Sequence, residues 1–355
     1  MARQMLKNHH LLLAAHALAA VAGHLSVRDP RPHTLLLVAY SRLSRPFTAA
    51  LLLLFRSSLR LSVAPIRHSL PLAVSAASSA GRRHLRLALS LHAVAVAWNL
   101  LPFPHVANAL VDLYARHALP DAARRVFEEM PFAPDVVSYN TMMHAYVNAR
   151  RVGVARVVFE EMPVRDATSW GTVIAGCGKA GRLEEAVGLF DRMREGFRPD
   201  SVALVAVLSC CAQLGVLEKG QEVHEYIKLS RTRPNVFLCT GLVDLYAKCE
   251  CVEEAREVFE ACQDRNVFTW NALIVGLAMH GHRTVALEFF HQMVADGIQP
   301  DGVTLLGVLI ACSHTGLVGM ARRVFCDMEG KHNVHRELKH YGCMADFLGR
   351  AGLIE

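Results

Sequence analysis

Acidic residues are almost missing from the first third of this 355-residue chain: residues 1–111 hold one, Asp29, against 12 Lys and Arg. The other 31 acids fall later beside 26 Lys and Arg, so residues 112–355 carry a net charge of about −5 within a formal total of +6. A protein that grips polyanions through a broadly basic surface is thereby excluded, and any such contact must be local. Cysteine is absent before Cys177, and the ten that follow include no C-x-x-C. Zinc knuckles and a thioredoxin motif are unsupported, and the thiols read as small buried hydrophobes in a reducing compartment. No apolar run approaches the roughly 20 residues of a membrane-spanning helix; Ala49 to Phe55 falls far short. P-loop, G-x-S-x-G and H-E-x-x-H motifs are also lacking. The 19 histidines, His9-His10 among them, scatter without ligand spacing, so no metal or cofactor is expected.

What is present is a repeat. Ala123, Ala155, Ala186, Gly220, Ala255, Ala286 and Ala321 follow one another at intervals of 31 to 35 residues. Four residues after each stands Phe127, Phe159, Phe190, His224, Phe259, Phe290 or Phe325, and in most units a Met three further on, such as Met130, Met162 and Met293. Each unit breaks at its middle, most clearly at Lys179 to Ala186. Before the break Trp170, Val173, Ile174 and Cys177 recur at helical spacing; after it Leu183, Ala186, Val187 and Phe190 do the same. Gly181 suits a helix C-terminus at positive φ, Glu184 and Glu185 suit the first turn of the next helix, and Pro199-Asp200 and Pro300-Asp301 close their units. The small column is expected to let the two helices of a hairpin approach closely, and the Phe column to fill the gap to the next hairpin. One hairpin cannot cover its own apolar face, so the units must stack into an all-α solenoid.

Tetratricopeptide units share one length, whereas these alternate among about 31, 34 and 35 residues. Val136-Val137-Ser138-Tyr139-Asn140-Thr141-Met142-Met143 and Val267-Phe268-Thr269-Trp270-Asn271-Ala272-Leu273-Ile274 resemble helix openings of pentatricopeptide repeat (PPR) proteins, specifically the plant PLS subclass. Val126-Phe127-Glu128-Glu129-Met130-Pro131 and Val158-Phe159-Glu160-Glu161-Met162-Pro163 resemble its S-unit endings, and Lys339-His340-Tyr341-Gly342-Cys343-Met344 the last S unit before carboxy-terminal extension motifs. The resemblance implies a right-handed superhelix of tandem hairpins: Pro104–Asp135 (S), Val136–Asp166 (S), Ala167–Asp200 (P), Ser201–Asn235 (L), Val236–Asn266 (S), Val267–Asp301 (P) and Gly302–Glu337 (L). Residues 338–355 form a partial S unit, and residues 30–103 two degenerate units, Pro30–Ile66 (P) and Arg67–Phe103 (L).

The resemblance also implies that the fifth and last residues of each unit read one base of single-stranded RNA. The expected pairs are Asn108 with Asp135, Asn140 with Asp166 and Asn271 with Asp301 for uracil, and Thr240 with Asn266 for adenine. Val137, Phe237 and Phe268, at second positions, would pack on the bases. Gly171 leaves Asp200 without its partner, and Val205 with Asn235 and Leu306 with Glu337 predict nothing, so the address reads U-U-n-n-A-U-n. Asn and Asp at such places are also ordinary helix caps; the pairs in register carry the reading.

The function expected is organellar transcript recognition, above all for C-to-U RNA editing, and the rival class is a protein-binding scaffold. No catalysis is expected: His335-Arg336-Glu337 matches the H-x-E of a cytidine deaminase, but no C-x-x-C follows, and the chain reads as stopping before an extension and DYW region. Any deaminase or editing-complex protein would act in trans. Residues 1–29, poor in acids and rich in Arg, Leu, Ala and His, suit a transit peptide to mitochondrion or chloroplast, with the mitochondrion preferred; Leu11 to Val21 also reads as an early helix of the array.

Overall fold

The computed structural model describes residues 35–37, 55, 65, 67–79, 85–230 and 234–353. Residues 1–29, with the expected transit peptide, Leu11 to Val21 and His9-His10, lie outside these, as does most of Pro30–Ile66. The described residues contain seventeen helices with described bounds, further helical residues at 35–37 and 55, and no strand. In chain order these are α1 (Ser69–Ser79), α2 (Leu85–Ala97), α3 (Pro104–Arg116), α4 (Pro120–Glu128), α5 (Val136–Asn148), α6 (Val152–Glu161), α7 (Ala167–Lys179), α8 (Leu183–Arg194) and α9 (Ser201–Leu214). They continue as α10 (Leu217–Leu229), α11 (Val236–Lys248), α12 (Val252–Ala261), α13 (Val267–Met279), α14 (Arg283–Ala295), α15 (Gly302–Thr315), α16 (Val318–Gly330) and α17 (Leu338–Arg350). The chain divides inside α7 into two compact units, one ending at Val173 and one beginning at Ile174.

Both units are stacks of helix pairs. In the first, the leading helices α1, α3 and α5 pack in succession, with α4 set against both α3 and α5. In the second, α9, α11, α13, α15 and α17 pack each on the next, and every trailing helix from α8 to α16 contacts the leading helix that follows it. Each pair from α3 with α4 onward turns through one left-handed residue. Gly181, Gly215, Gly281 and Gly316 hold it in four hairpins, but Ala118 (φ 59°), Arg150 (φ 59°) and Glu250 (φ 63°) hold it in three. The turn is therefore dictated by packing on both sides rather than by glycine alone.

The repeat columns are the core. Ala123, Ala155, Ala186, Ala255, Ala286 and Ala321 are fully buried. At Gly220 the expected reason for smallness needs correcting: a Cβ there would run into Leu245 of α11, in the next hairpin, rather than into its own partner helix α9. Close approach between leading helices uses other glycines. A Cβ on Gly276 would lie 2.6 Å from that of Ala247, and one on Gly307 2.9 Å from Val275 Cγ2.

The Phe column reaches the next hairpin through a repeated edge-to-face contact. Phe127 meets Tyr139 at 5.2 Å, Phe159 meets Trp170 at 4.7 Å, Phe259 meets Trp270 at 4.6 Å and Phe325 meets Tyr341 at 5.2 Å. An arginine just before the unit's last residue covers the ring from outside: Arg165 lies 4.9 Å over Phe159, Arg265 4.8 Å over Phe259 and Arg336 4.9 Å over Phe325. The same guanidinium donates to carbonyls at the end of the trailing helix, such as Phe159 O and Glu160 O from Arg165. One side chain thus adds a cation–π contact and satisfies orphan C-terminal carbonyls, which fixes the loop carrying the unit's last residue.

Candidate nucleic-acid interface

That last residue is where the site is built. Asp135, Asp200, Asn235, Asn266 and Asp301 are the N-caps of α5, α9, α11, α13 and α15, and each carboxylate or amide oxygen accepts from backbone N–H groups in the first turn. Asp166 precedes α7 in the same way and accepts from Ser169 N at 2.7 Å. The local sequence explains the geometry: a short polar side chain in extended backbone satisfies donors the helix start leaves unpaired. A buried hydroxyl three residues on completes the clasp at Ser138, Ser169, Thr269 and Thr304. Ser138 Oγ donates to Asp135 Oδ1 at 2.9 Å and Ser169 Oγ to Asp166 Oδ1 at 2.8 Å.

The fifth residue of the preceding leading helix closes on the same cap. Asn140 Nδ2 donates to Asp166 Oδ1 at 3.2 Å and Asn271 Nδ2 donates to Asp301 Oδ1 at 3.0 Å, while the Asn108 amide faces the Asp135 carboxylate and favours its charged form. Two of the three Asn/Asp pairs named from sequence are therefore hydrogen-bonded side-chain pairs. Capping and pairing converge on one oxygen, Oδ1, in Asp166 and in Asp301. Burial by itself would raise each carboxyl's pKa; donation from the Ser or Thr and from the Asn outweighs it and holds Asp135, Asp166 and Asp301 below the usual carboxylate range.

Thr240 and Asn266 meet differently. Thr240 Oγ1 lies 2.7 Å from Val236 O and 2.9 Å from Thr269 Oγ1, and Thr269 Oγ1 lies 3.3 Å from Asn266 Oδ1, so a third residue bridges this pair. Asp200 caps Ala203 N at 2.9 Å, with Gly171 offering no side chain to it. Val205 and Leu306 are half-buried.

Residues at second positions point outward despite being apolar. Val137 is 58% exposed, Phe237 67% and Phe268 65%; Val202 and Val303, which sequence reading did not single out, are exposed as well. In the second unit these residues and the caps share clefts. One of ≈ 740 Å³ is lined by Phe237, Thr240, Asn266, Phe268, Asn271 and Val303, with Lys248 and Asp244 on its wall. Another of ≈ 560 Å³ is lined by Val202, Val205, Asn235 and Phe237, with Lys179 beside them. Lys248 is ion-paired to Asp244 at 2.8 Å. Each cleft thus offers apolar walls, a hydrogen-bonding edge and a cation. The cations were not named from sequence, although Arg116, Lys179 and Lys248 each stand thirteenth in their units.

His335 of the H-x-E triplet is fully solvent-exposed and faces Glu329 at 3.9 Å. Among the described residues, no three His, Cys, Asp or Glu side chains group so as to hold a metal ion, and no helix is long and apolar enough to cross a membrane.

Comparison with known proteins adds to this geometry. The PPR repeat model matches residues 106–132, 137–166, 168–196, 237–267 and 303–332, and the PPR repeat family model matches 265–314, together about half of the chain. Pentatricopeptide repeat-containing protein At5g61800 of Arabidopsis thaliana is 43% identical over 297 residues, covering 83% of this chain and 59% of the relative. The Arabidopsis protein At1g08070, chloroplastic, is 34% identical over 263 residues, covering 72% of this chain and 36% of the relative. The chain spans about half the length of the curated relatives it matches. Among solved structures, the pentatricopeptide repeat protein PPR10 in complex with an 18-nt psaJ RNA element superposes with a TM-score of 0.74 at 22% identity, over 96% of this chain and 50% of that one. PPR10 from maize superposes at 0.53 and 20% identity, over 96% and 55%. At these identities the match establishes a shared fold.

Proposed function

The chain belongs to the pentatricopeptide repeat family, and from that premise we propose that it binds single-stranded RNA along its leading helices, one nucleotide per hairpin, with the fifth and last residues reading each base. The observation that carries the reading is the larger cleft of the second unit. Thr240, Asn266 and Asn271 line it together with Phe237 and Phe268, two aromatic rings left in solvent where no core needs them. An unpaired base has a flat apolar face and a polar edge, and exposed rings beside fixed amides suit both. Lys179 and Lys248 give the strand's phosphates local cations, which a body with a slight excess of acids requires. A peptide-binding scaffold would have no use for paired Asn/Asp edges repeated at the unit period.

The preferred sequence follows from the pairs in register as U-U-n-n-A-U-n, read in the family's parallel orientation. The finer reading is a plant PLS-type site-recognition factor for C-to-U editing or other processing of organellar transcripts, in mitochondrion or chloroplast, with a deaminase or editing-complex protein supplied in trans. Selection of ligands from random RNA by the purified chain tests the core of this. Enrichment of uracil and adenine in that order is expected, and Asn271→Thr combined with Asp301→Asn should move one position from U toward A. An unchanged preference in the double variant would remove the base-reading assignment. A fluorescent fusion that reaches neither organelle would remove the localisation.

A further inference from the structure

We propose that Thr304, third residue of α15, is a positioning residue for base discrimination by the hairpin before it, because its hydroxyl locks the reader Asn271. The inference rests on the base-reading function proposed above and goes one residue beyond the reading pair.

The argument begins with which amide atom faces which partner. A carboxylate oxygen only accepts, so the atom of Asn271 that lies 3.0 Å from Asp301 Oδ1 must be Nδ2. Its Oδ1 then faces Thr304, whose hydroxyl donates to it at 2.5 Å. Asn271 is consequently held at both ends and is only 6% exposed, although it lines the cleft. Thr304 is itself tightly held: it is fully buried, its backbone N–H donates to Asp301 Oδ1 at 2.9 Å, its hydroxyl accepts from Asp301 N at 3.1 Å, and Asp301 Oδ1, at 3.1 Å, is a farther acceptor for its one proton than Asn271 Oδ1.

The two other Asn/Asp pairs lack this lock. Asn108 Oδ1 and Asn140 Oδ1 are buried without a hydrogen-bond partner among the described residues, while Ser138 and Ser169 spend their hydroxyls on the carboxylates instead. Asn140 has one anchor, through Nδ2, and both side chains are half-buried rather than buried.

Anchoring matters because the two pyrimidines differ by exchange of donor and acceptor. Uracil offers a donor at N3 and an acceptor at O4; cytosine offers an acceptor at N3 and a donor at N4. An amide that can swing or turn over answers either pattern, whereas one fixed at both ends answers one. The Val267–Asp301 hairpin should therefore separate uracil from cytosine more sharply than the Val136–Asp166 hairpin does.

The test is equilibrium binding of labelled RNA oligonucleotides by the full chain, with sequences that differ only as U or C at the nucleotide of one hairpin. Thr304→Val removes the hydroxyl at constant volume. The U:C affinity ratio at the Asn271 nucleotide should fall by about ten-fold, the scale of one well-placed polar contact. The ratio at the Asn140 nucleotide should stay unchanged, and Thr304→Ser, which restores the hydroxyl, should recover most of the loss. General destabilisation would weaken every oligonucleotide alike and leave both ratios untouched. A preference for U at the Asn271 nucleotide that survives Thr304→Val intact overturns the lock while leaving base reading in place. No preference for U there in the unmodified chain overturns both.

Discussion

Replacing Phe259 by leucine removes a ring from the junction between the hairpins Val236–Asn266 and Val267–Asp301 while keeping most of the apolar volume. The ring is 1% exposed and meets Trp270 at 4.6 Å and Phe289 at 5.6 Å, both edge-to-face, under the Arg265 guanidinium at 4.8 Å. Each aromatic pair contributes about 0.5–1.5 kcal/mol beyond area, and the cation adds about 0.5–1 kcal/mol. The substitution should then cost about 2–3 kcal/mol, where a volume-conserving swap elsewhere in the core costs under about 1.5 kcal/mol. Since repeats couple only to neighbours, the loss should also weaken cooperativity between the flanking hairpins. Urea unfolding followed by far-UV circular dichroism measures both, with Leu273→Met as the control. Crossing Phe259→Leu with Arg265→Gln should give a coupling of about 0.5–1 kcal/mol. A cost equal to that of Leu273→Met, with no coupling to Arg265, would refute the idea that this ring, cation and Trp270 act as one joint.

Three further outcomes follow from the same structure. Gly281→Ala forces alanine to φ +97° in open space and should cost about 1–2 kcal/mol in urea unfolding; the equivalent Glu250, already at φ 63°, should tolerate glycine with little change. Burial pushes the thiols of Cys210, Cys211 and Cys312 up to about 11, so at pH 8 they should resist iodoacetamide while exposed Cys326 is alkylated, as read by peptide mass. Asp135, Asp166 and Asp301 titrate lower folded than unfolded, so what their caps contribute is present above the unfolded value of about 4 and is lost as pH falls from there through the lower folded values. Acid unfolding should soften in Asp301→Asn, and a variant with the parental acid profile would contradict this.

The hairpins were legible because several signals agreed. Asp135, Asp200, Asn235, Asn266 and Asp301 mark helix starts by chemistry and recur at the period of the Ala and Phe columns. The pairing of Asn140 with Asp166 and of Asn271 with Asp301 was legible only through family resemblance, since nothing local in sequence joins residues 26 and 30 apart. Arg165, Arg265 and Arg336 were missed, yet each directly precedes a unit's last residue, a signal a column-by-column comparison would have caught. The turns at Ala118, Arg150 and Glu250 were not legible in principle. Intrinsic preference argues against a positive φ there, and only packing of both helices imposes it. Gly220 was placed correctly in its column, but its partner Leu245 lies in the next hairpin, and periodicity cannot say on which side a small residue is needed.

The old opposition between a capping residue and a reading residue dissolves once the atoms are separated. A carboxylate has two oxygens, and in Asp166 and Asp301 one of them, Oδ1, takes donation from the helix start and from the Asn amide together, joined in Asp166 by the Ser169 hydroxyl. The cap is therefore what orients the pair, because a side chain fixed by several donors cannot follow whatever base arrives. A free Asp in a flexible loop would offer the same chemistry with no fixed direction and little discrimination. Under the proposed base reading the cost falls on the fold: each last residue also starts the next leading helix, so exchanging Asp for Asn to alter specificity also alters a cap. Asn266, whose Oδ1 accepts from Phe268 N and Thr269 N at 3.0 and 3.1 Å, shows that asparagine serves as such a cap. Asp301→Asn should accordingly keep α15 formed while changing what the cleft presents, whereas Asp301→Ala should lose about 1 kcal/mol of cap along with the edge. Loss of stability of the same size in both variants would mean that the cap, rather than the base, dictates the residue at that position.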